Sequence, residues 1–354
     1  MKAKILILIA LFIFLGFIDN SFAVECGSTP TDNCDVTQNT TFNTGTYSLS
    51  SGIEIEGDYI TLDCNNSVLI GNKSGIFSVG IKIWGDHDFN TIKNCQIKNY
   101  SGYGGLLLNG YDVGVRAENN KIISNLFEDN TEGMRMGSVA YFTTISDNLF
   151  KNNAKGIHFF GAVDTRYTNI TRNNFLNNSI GIRINGQNPD VTLITTWLNS
   201  FINNSIHVSD DSCSLCNAWN ISEQGNYWSS YDSNAEGCFD TNSDFICDEP
   251  YNLSGFAGSK DRLPTTGLQI LDIIPIQVIK DVDLVKGKTT LLRSLIKNVG
   301  IVNRNINVSL YFDGVLKTST NASINSEQEK NIDLFFIPNT AGSNKEIQIT
   351  VKEI

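Results

Sequence analysis

The sequence predicts an all-β protein: a right-handed parallel β-helix solenoid followed by a small antiparallel Ig-like β-sandwich. A short pattern recurs with a period of about 23 to 25 residues, starting at Gly133 (GMRM), Gly156 (GIHF) and Gly181 (GIRI), and an Asn-rich run follows each copy. A period of this length is typical of solenoids, whose repeats bury their apolar faces against one another. Apolar and polar residues alternate within each repeat, which predicts strands. No apolar stripe has helical spacing, which excludes the helical repeats.

The N-terminal segment, residues 1–23, has the composition of a secretory signal. Lys2 and Lys4 precede an apolar run, and Ser21-Phe22-Ala23 forms a small-x-small cleavage site. An uncleaved membrane anchor is the alternative, and it is the only route by which we expect the chain to contact a membrane. The sequence therefore predicts a secreted or cell-surface protein.

Composition narrows the range of partners. The formal net charge is −11, so we expect no binding to nucleic acid. Asn-x-Ser/Thr sequons, for example at Asn39, Asn169 and Asn220, permit N-glycosylation if the host carries the machinery.

Four segments follow the signal. Residues 24–51 are predicted to cap the open first coil, because a solenoid end exposes unpaired strand edges. Residues 52–208 form the β-helix, with further copies of the pattern at Gly52, Gly80 and Gly105. Residues 209–263 break the period and are predicted to be a C-terminal cap. Residues 264–354 contain β-rich runs between turn residues, which predicts the sandwich.

The eight cysteines are expected to form disulfides, because the chain is exported. Cys26 and Cys34 are close enough in sequence to pair. Cys64 and Cys95 occupy the same place in successive coils, where a disulfide and two buried thiols are both compatible with the strand spacing. For the remaining four we favour two disulfides over a zinc site; they are Cys213, Cys216, Cys238 and Cys247.

One outward column of the solenoid is rich in basic residues. If the second and fourth residues of each Gly-x-x-x unit point inward, the third points outward. Down the stack, that third place carries Glu54, Lys82, Leu107, Arg135, His158, Arg183 and His207. The next outward place carries Glu56, Trp84, Asn109, Phe160 and Asn185. Lys82, Arg135, His158, Arg183 and His207, with Trp84 and Phe160, could hold an acidic or envelope polysaccharide, although a solvated sheet face is the alternative.

No residue is assigned a catalytic role. Polysaccharide hydrolysis needs two carboxylates a few ångströms apart, and elimination needs a basic proton acceptor. The densest candidate, Asp86-His87-Asp88, falls at a turn, where such residues usually serve the turn.

The segment from Asp232 to Asp248 has the ligand spacing of two calcium loops. The first would use Asp232, Asn234, Glu236 and Asp240, with Gly237 at the turn, and the second would use Asp240, Asn242, Asp244 and Asp248. Phe245 replaces the turn glycine of the second loop. An acidic loop tied by Cys238 and Cys247 is the alternative to calcium binding.

These motifs resemble the β-helix repeat proteins related to the NosD copper-maturation family and to the carbohydrate-binding and sugar-hydrolase β-helices, especially archaeal surface proteins. The resemblance covers about Cys26 to Tyr251. It depends on ITLDCNN from Ile60, TIKNCQI from Thr91, the repeated coils, and GNYWSSY from Gly225 followed by an acidic loop. The chain departs from the family in carrying Cys238 and Cys247 and in lacking a glycine at position 245.

The segment after Pro264 resembles CARDB-type adhesion sandwiches in its IKNVG and LYFDGVL runs. Together the resemblances imply an exported surface architecture. We expect no copper, because the chain has three Met and three His and no tract rich in either.

The resulting hypothesis is a non-catalytic extracellular protein that binds glycan or envelope polysaccharide. The alternatives are a polysaccharide lyase, hydrolase or epimerase that uses the solenoid groove, and a structural component of the envelope.

Overall fold

A computed structural model describes residues 24–73, 78–110, 116–137, 139–160, 165–185, 191–214, 216–222, 224–242, 244, 246–266, 273–279, 289–298, 304–312, 315–325, 328–338 and 347–353. The predicted signal segment lies outside the described residues. One 3-10 helix, Asn234–Glu236, is the single helical element of this part of the chain, and the other elements are strands. None of its helices is long and apolar enough to cross a membrane.

Three long parallel sheets build the predicted solenoid, and each coil adds one strand to each sheet. The first sheet contains Val24–Glu25, Cys34–Val36, Ile53–Ile55, Val79–Trp84, Gly104–Asn109, Glu132–Met136, Lys155–Phe159, Ile180–Ile184 and Ile206–Asp210. The second contains Thr40–Thr41, Thr61–Asp63, Thr91–Lys93, Lys121–Ile123, Thr144–Ser146, Asn169–Thr171 and Thr195–Trp197. The third contains Thr46–Ser48, Val68–Ile70, Gln96–Lys98, Leu126–Glu128, Leu149–Lys151, Asn174–Leu176, Ser200–Ile202 and Tyr227–Trp228. A fourth, shorter sheet contains Ala117–Glu118, Ala140–Tyr141, Thr165–Arg166 and Val191–Thr192.

The predicted N-terminal cap, residues 24–51, is built like a coil. It supplies Cys34–Val36, Thr40–Thr41 and Thr46–Ser48, one to each long sheet, and Val24–Glu25 adds an edge strand to the first sheet.

Side chains that stack coil upon coil form the core. Each of the three long sheets points Ile or Leu side chains inward, and these, for example Ile83, Ile92 and Leu69, are fully buried. The third sheet adds a ladder of parallel rings, in which neighbouring centroids are 4.3–5.0 Å apart. Its members are Phe127, Phe150, Phe175, Phe201 and Trp228. Because each ring packs only on the next coil, the stabilisation is between nearest neighbours.

The glycine that marks each repeat is required by packing. A Cβ added at Gly156 would lie 2.5 Å from the carbonyl oxygen of Gly181 and 2.8 Å from the ring of Phe175. The same crowding recurs at Gly133 and Gly181. The chain therefore turns from the third sheet into the first at a corner where no side chain fits.

Buried asparagines stack at the corners. The matching places of Asn94, Asn125, Asn148, Asn174 and Asn199 in successive coils predict one such ladder, and this prediction is wrong at Asn94 and Asn174. In the structure, Cys95 takes the place predicted for Asn94, and Asn173 takes the place predicted for Asn174. Each Oδ1 in the observed ladder accepts the backbone N–H of the previous coil at 2.9–3.0 Å, through Asn125, Asn148, Asn173, Asn199 and Asn226. A second ladder contains Asn130, Asn153, Asn178 and Asn204.

All eight cysteines are paired, and this confirms the prediction of disulfides. The pairs are Cys26–Cys34, Cys64–Cys95, Cys213–Cys216 and Cys238–Cys247. The Cα atoms of Cys64 and Cys95 are 4.8 Å apart, which is the distance between neighbouring coils. No zinc site is formed by these residues.

The C-terminal end of the solenoid is closed by the hairpin of Tyr251–Asn252 and Lys260–Asp261. Beyond it, two three-stranded antiparallel sheets confirm a small β unit. One contains Ile273–Ile279, Thr290–Asn298 and Glu329–Phe336, and the other contains Arg304–Phe312, Val315–Ile324 and Ile347–Glu353. Its likeness to CARDB domains stays a prediction.

Candidate functional site

The outward column of the first sheet has the predicted register over most of its length. Lys82 pairs with Leu107, Arg135 with His158, and His158 with Arg183. Their side chains therefore lie one above another on the same face of the sheet.

The predicted place of His207 in this column is wrong by two residues. Ile182 pairs with Val208 and Arg183 pairs with Ser209, so Ser209 continues the column. His207 instead lies at the corner that the repeat glycines occupy. The misreading arose because both registers point Val208 inward and this last strand carries no glycine to mark the corner; the second inward place, predicted for Val208 after Ile206, is taken by Asp210.

His207 is buried among aromatic rings, next to Phe201, Trp228 and Tyr251. Its Nε2 lies 3.1 Å from the hydroxyl of Ser230. Burial lowers the pKa of the imidazole from 6.5 to about 4, so the ring is neutral at pH 7.

The cations of the column are paired with carboxylates, so the face is not the bare basic stripe that the sequence predicts. Lys82 forms an ion pair with Glu54, and Arg183 forms one with Asp211 at 2.7 Å. Asp211 lies outside the column and was not recognised from sequence. The face therefore combines donors and acceptors, and it has less positive charge to offer a polyanion.

The centre of the face is a polar cluster around Glu132, which sequence reasoning missed. Its Oε1 lies 2.7 Å from His158 Nδ1 and 3.0 Å from Lys155 Nζ. On the far side of the ring, His158 Nε2 lies 2.9 Å from Asn185 Nδ2. Glu132 Oε2 lies 3.9 Å from Arg135 Nε and has no hydrogen-bond partner among the described residues.

Burial and hydrogen bonding set the protonation of this cluster. Burial raises the pKa of Glu132, but its contacts with His158 and Lys155 outweigh that effect, and the pKa ends below its ordinary value. Burial lowers the pKa of His158, and the contact with Glu132 only partly opposes it. A neutral His158 donates from Nδ1 to Glu132 and accepts at Nε2 from Asn185. Both ring nitrogens are thus engaged, and the residue is 2% exposed.

Arg135 is held between two aromatic rings. The centre of its guanidinium lies 3.8 Å from the ring centroid of Phe160 and 5.0 Å from that of Tyr103, distances typical of cation–π contacts. Phe160 is 48% exposed, and its ring lies over the guanidinium of Arg135.

Trp84 and Phe160 lie in the neighbouring outward column, and the residues between them have smaller side chains. Trp84 pairs with Asn109, and the next two residues up the column are Gly137 and Phe160. The side chain of Asn109 covers Gly137, because a Cβ there would lie 1.8 Å from Asn109 Oδ1. The two exposed rings are therefore three coils, about 14 Å, apart at the usual strand spacing.

The acidic loop of the C-terminal cap holds the candidate calcium ligands in hydrogen bonds. In the first half, Asp232 accepts from the hydroxyl of Tyr227, and Glu236 Oε2 accepts from the backbone N–H of Asp232 at 3.0 Å. Asn234 begins the 3-10 helix, and Glu236 ends it.

In the second half of the loop, Asp240 Oδ1 and Asn242 Oδ1 both accept the backbone N–H of Asp244 at 3.1 Å. Asp248 Oδ2 accepts from Thr241 N at the same distance. Within the described ranges, no three His, Cys, Asp or Glu side chains are grouped as metal ligands. Calcium binding stays a prediction.

The histidines of the described chain do not fit a copper centre. His158 is engaged at both nitrogens, His207 is enclosed by rings, and His87 lies 3.3 Å from Glu56. Met134 and Met136 are fully buried in the core, and the cysteines are all in disulfides. A copper site needs several of these donors at one point.

The residues flanking His87 are also used by the fold. Asp88 Oδ1 accepts the backbone N–H of Glu118 at 2.6 Å, and Asp88 N–H donates to Asp58. Burial raises the pKa of Asp88. The contacts connect neighbouring coils.

Comparison with known proteins finds similar proteins that include a curated relative and a distant structural neighbour. A cell surface glycoprotein of Methanothermus fervidus is 32% identical over 170 residues, which is 46% of this chain but 28% of that protein. The chain thus spans under a third of its relative's length. A tailspike protein from an Acinetobacter baumannii bacteriophage, a capsular polysaccharide depolymerase, is 11% identical over 92% of this chain and 69% of its own. Its TM-score of 0.25 is too low to support an inference.

The family comparison covers most of the solenoid. Residues 24–233, more than half of the chain, match the family described as "Periplasmic copper-binding protein (NosD)". The chain, a solenoid of parallel sheets and stacked coils, belongs to the NosD family.

Proposed function

We propose that this chain is an extracytoplasmic, cell-surface β-helix protein whose first sheet binds an envelope polysaccharide without cleaving it. Its location is supported by four disulfides, by the periplasmic description of its family, and by the cell-surface relative.

The observation that carries the binding proposal is the spacing of Trp84 and Phe160. Sugar rings present apolar C–H faces, and exposed aromatic rings provide matching apolar surface. Two such rings lie about 14 Å apart, with only the smaller residues Asn109 and Gly137 between them. This spacing leaves room for a short stretch of an extended glycan.

The polar cluster beside them suits hydroxyl groups. Arg183 donates to Asn185 Oδ1 at 2.5 Å and forms an ion pair with Asp211. Paired charges of this kind recognise neutral or weakly charged sugars through hydrogen bonds, whereas unpaired cations would favour a polyanion. We therefore expect binding to depend only weakly on salt.

The binding is proposed to be non-catalytic because the one histidine of the cluster has no free nitrogen. A general base must reach the proton that it removes. His158 reaches Glu132 and Asn185 instead.

The test is a glycan-array screen of the mature chain, followed by titration of the best oligosaccharide. Changing Trp84 and Phe160 together to Ala is expected to weaken binding at least ten-fold, equal to about 1.4 kcal/mol. The matched control changes Tyr59 and Phe89 to Ala. These rings are also exposed and stack at 4.7 Å, but on another corner. Equal loss in both variants, or no binding, would sink the proposal. Release of reducing ends during incubation would show that the chain cleaves the glycan, which would contradict binding without catalysis.

A further inference from the structure

The cap at the C-terminal end of the solenoid forms a half-open cavity of about 610 Å³. One wall is formed by Ala218, Trp219 and Asn220, which continue the last coil. The other is formed by Lys260 and Arg262, on the closing hairpin. The volume is in the range of pockets that hold a small organic molecule.

The two cations at this cavity differ from those of the first sheet. Lys260 and Arg262 are exposed, and neither has a carboxylate within 4.0 Å among the residues that the structure describes. On a chain with a net charge of −11, two such cations at one cavity mark a local site for an anion.

The lining below them combines apolar and polar surface. Pro250 and Ala218 contribute apolar surface, and Asn220 contributes a polar amide. The cavity thus matches a small ring that has an apolar face and carries hydroxyl groups and a carboxylate.

Both walls are fixed before any ligand arrives. Ala218 exchanges backbone hydrogen bonds with the previous coil, through Ile194 O at 2.9 Å and Thr196 N at 2.8 Å. Between the two cations, Asp261 points into the core and accepts from Asn226 at 2.8 Å. A preformed site loses little conformational entropy on binding.

We propose that this cavity binds a carboxylated monosaccharide unit, such as a hexuronic acid, with the carboxylate between Lys260 and Arg262. The unit could be a free sugar or the end of an acidic polysaccharide. The cavity shares no lining residue with the polar cluster and the two exposed rings of the first sheet, so this proposal does not depend on the function proposed there.

The test is calorimetric titration of the mature chain, made in a host without N-glycosylation because Asn220 begins a sequon. Three probes separate the contributions: methyl glucuronoside has ring and charge, methyl glucoside has the ring alone, and inorganic phosphate has the charge alone. We expect methyl glucuronoside to bind at least ten-fold more tightly than either of the others. An oligomer that ends in glucuronic acid should bind equally well or better if the site reads chain ends, and more weakly if it takes the free sugar.

Changing Lys260 and Arg262 to Ser, or in a second variant to Gln, should weaken methyl glucuronoside binding at least ten-fold. The matched control changes Lys73 and Lys121 to Ser, which alters the net charge equally but lies several coils away. The variant without Trp84 and Phe160 should bind normally, which separates this proposal from the first. Equal binding of phosphate, equal loss in the lysine control, or absence of binding would each overturn it.

Discussion

The carboxylate of Glu132 joins two coils through its contact with the ring of His158, at 2.7 Å, and with Lys155, at 3.0 Å. Glu132 is 4% exposed, so its buried charge depends on these two partners for hydrogen bonds.

Replacing Glu132 with Gln should lower the free energy of unfolding by about 1–3 kcal/mol, because buried donors lose their charged acceptor. The matched control is Glu128→Gln, which removes a more exposed carboxylate between Lys98 and Lys151 and should cost less than about 1 kcal/mol. Thermal unfolding by circular dichroism measures both. Equal losses would show that the cluster has no special role in stability.

His207 should make the solenoid less stable in mild acid. Its pKa is 6.5 when unfolded and about 4 when folded, so its stabilising effect is complete above pH 6.5 and is lost as the pH falls towards 4. The loss amounts to about 3 kcal/mol. The variant His207→Phe should lack this dependence in melting curves taken from pH 7 to 4. An unchanged pH profile would show that the imidazole is not the titrating group.

Asp261 should have the opposite pH dependence. Burial raises its pKa from 3.8 to about 6, although hydrogen bonds from Leu263, Asn226 and Trp228 oppose the rise. Its relative stabilisation is therefore complete below pH 3.8 and is lost as the pH rises through about 6.

In the wild type the two effects partly cancel between pH 4 and 6, so single variants are needed to see either. Asp261→Asn should remove the second slope and also cost about 1–3 kcal/mol at pH 7, because four N–H groups converge on two oxygens and an amide supplies one. If this variant is as stable as the wild type at every pH, the carboxylate is not needed.

Gly156 should tolerate no side chain. The variant Gly156→Ala forces a Cβ to within 2.5 Å of a backbone oxygen and should lower the free energy of unfolding by about 2 kcal/mol or more. Gly27→Ala is the control, since nothing lies within 4 Å of its added Cβ. Urea unfolding of both variants would decide. Similar midpoints would contradict the packing argument.

Calcium is expected to stabilise the C-terminal cap. If the loop from Asp232 to Asp248 binds the ion, millimolar calcium should raise the melting temperature, and a chelator should reverse the effect by mass action. The double variant Asp240→Asn and Asp244→Asn should not respond. A wild type that melts at the same temperature with and without calcium would remove this prediction.

The sequence predicted those features that repeat. Alternation at period two and the spacing of the repeat glycines were enough for the sheets. The equivalent places of Cys64 and Cys95 in successive coils predicted that they lie close together, but left a disulfide and two buried thiols open. The register failed at His207, where the glycine is missing. A better marker is the ring ladder, because Phe150, Phe175 and Phe201 each lie six residues before their corner residue, at positions 156, 181 and 207.

The functional cluster was harder to predict because it does not repeat. Glu132 occupies a place that Lys155 and then Ile180 fill in the following coils. A single carboxylate among varied residues gives no periodic signal, and the pairing of the cations became visible only once neighbouring coils were in register.

The asparagine ladder has a direction, and this bears on how such a rod can change its length. Each asparagine amide accepts from one coil and donates onward, as Asn199 does to Asn226. The series stops at Asp261, whose carboxylate accepts from Asn226 and has no N–H to pass on. Whole coils can therefore be inserted or deleted upstream of Asn226 while both ends of the solenoid stay capped. The length of the solenoid and the closing of its ends therefore depend on different residues. The number of repeats can vary without a change at either end.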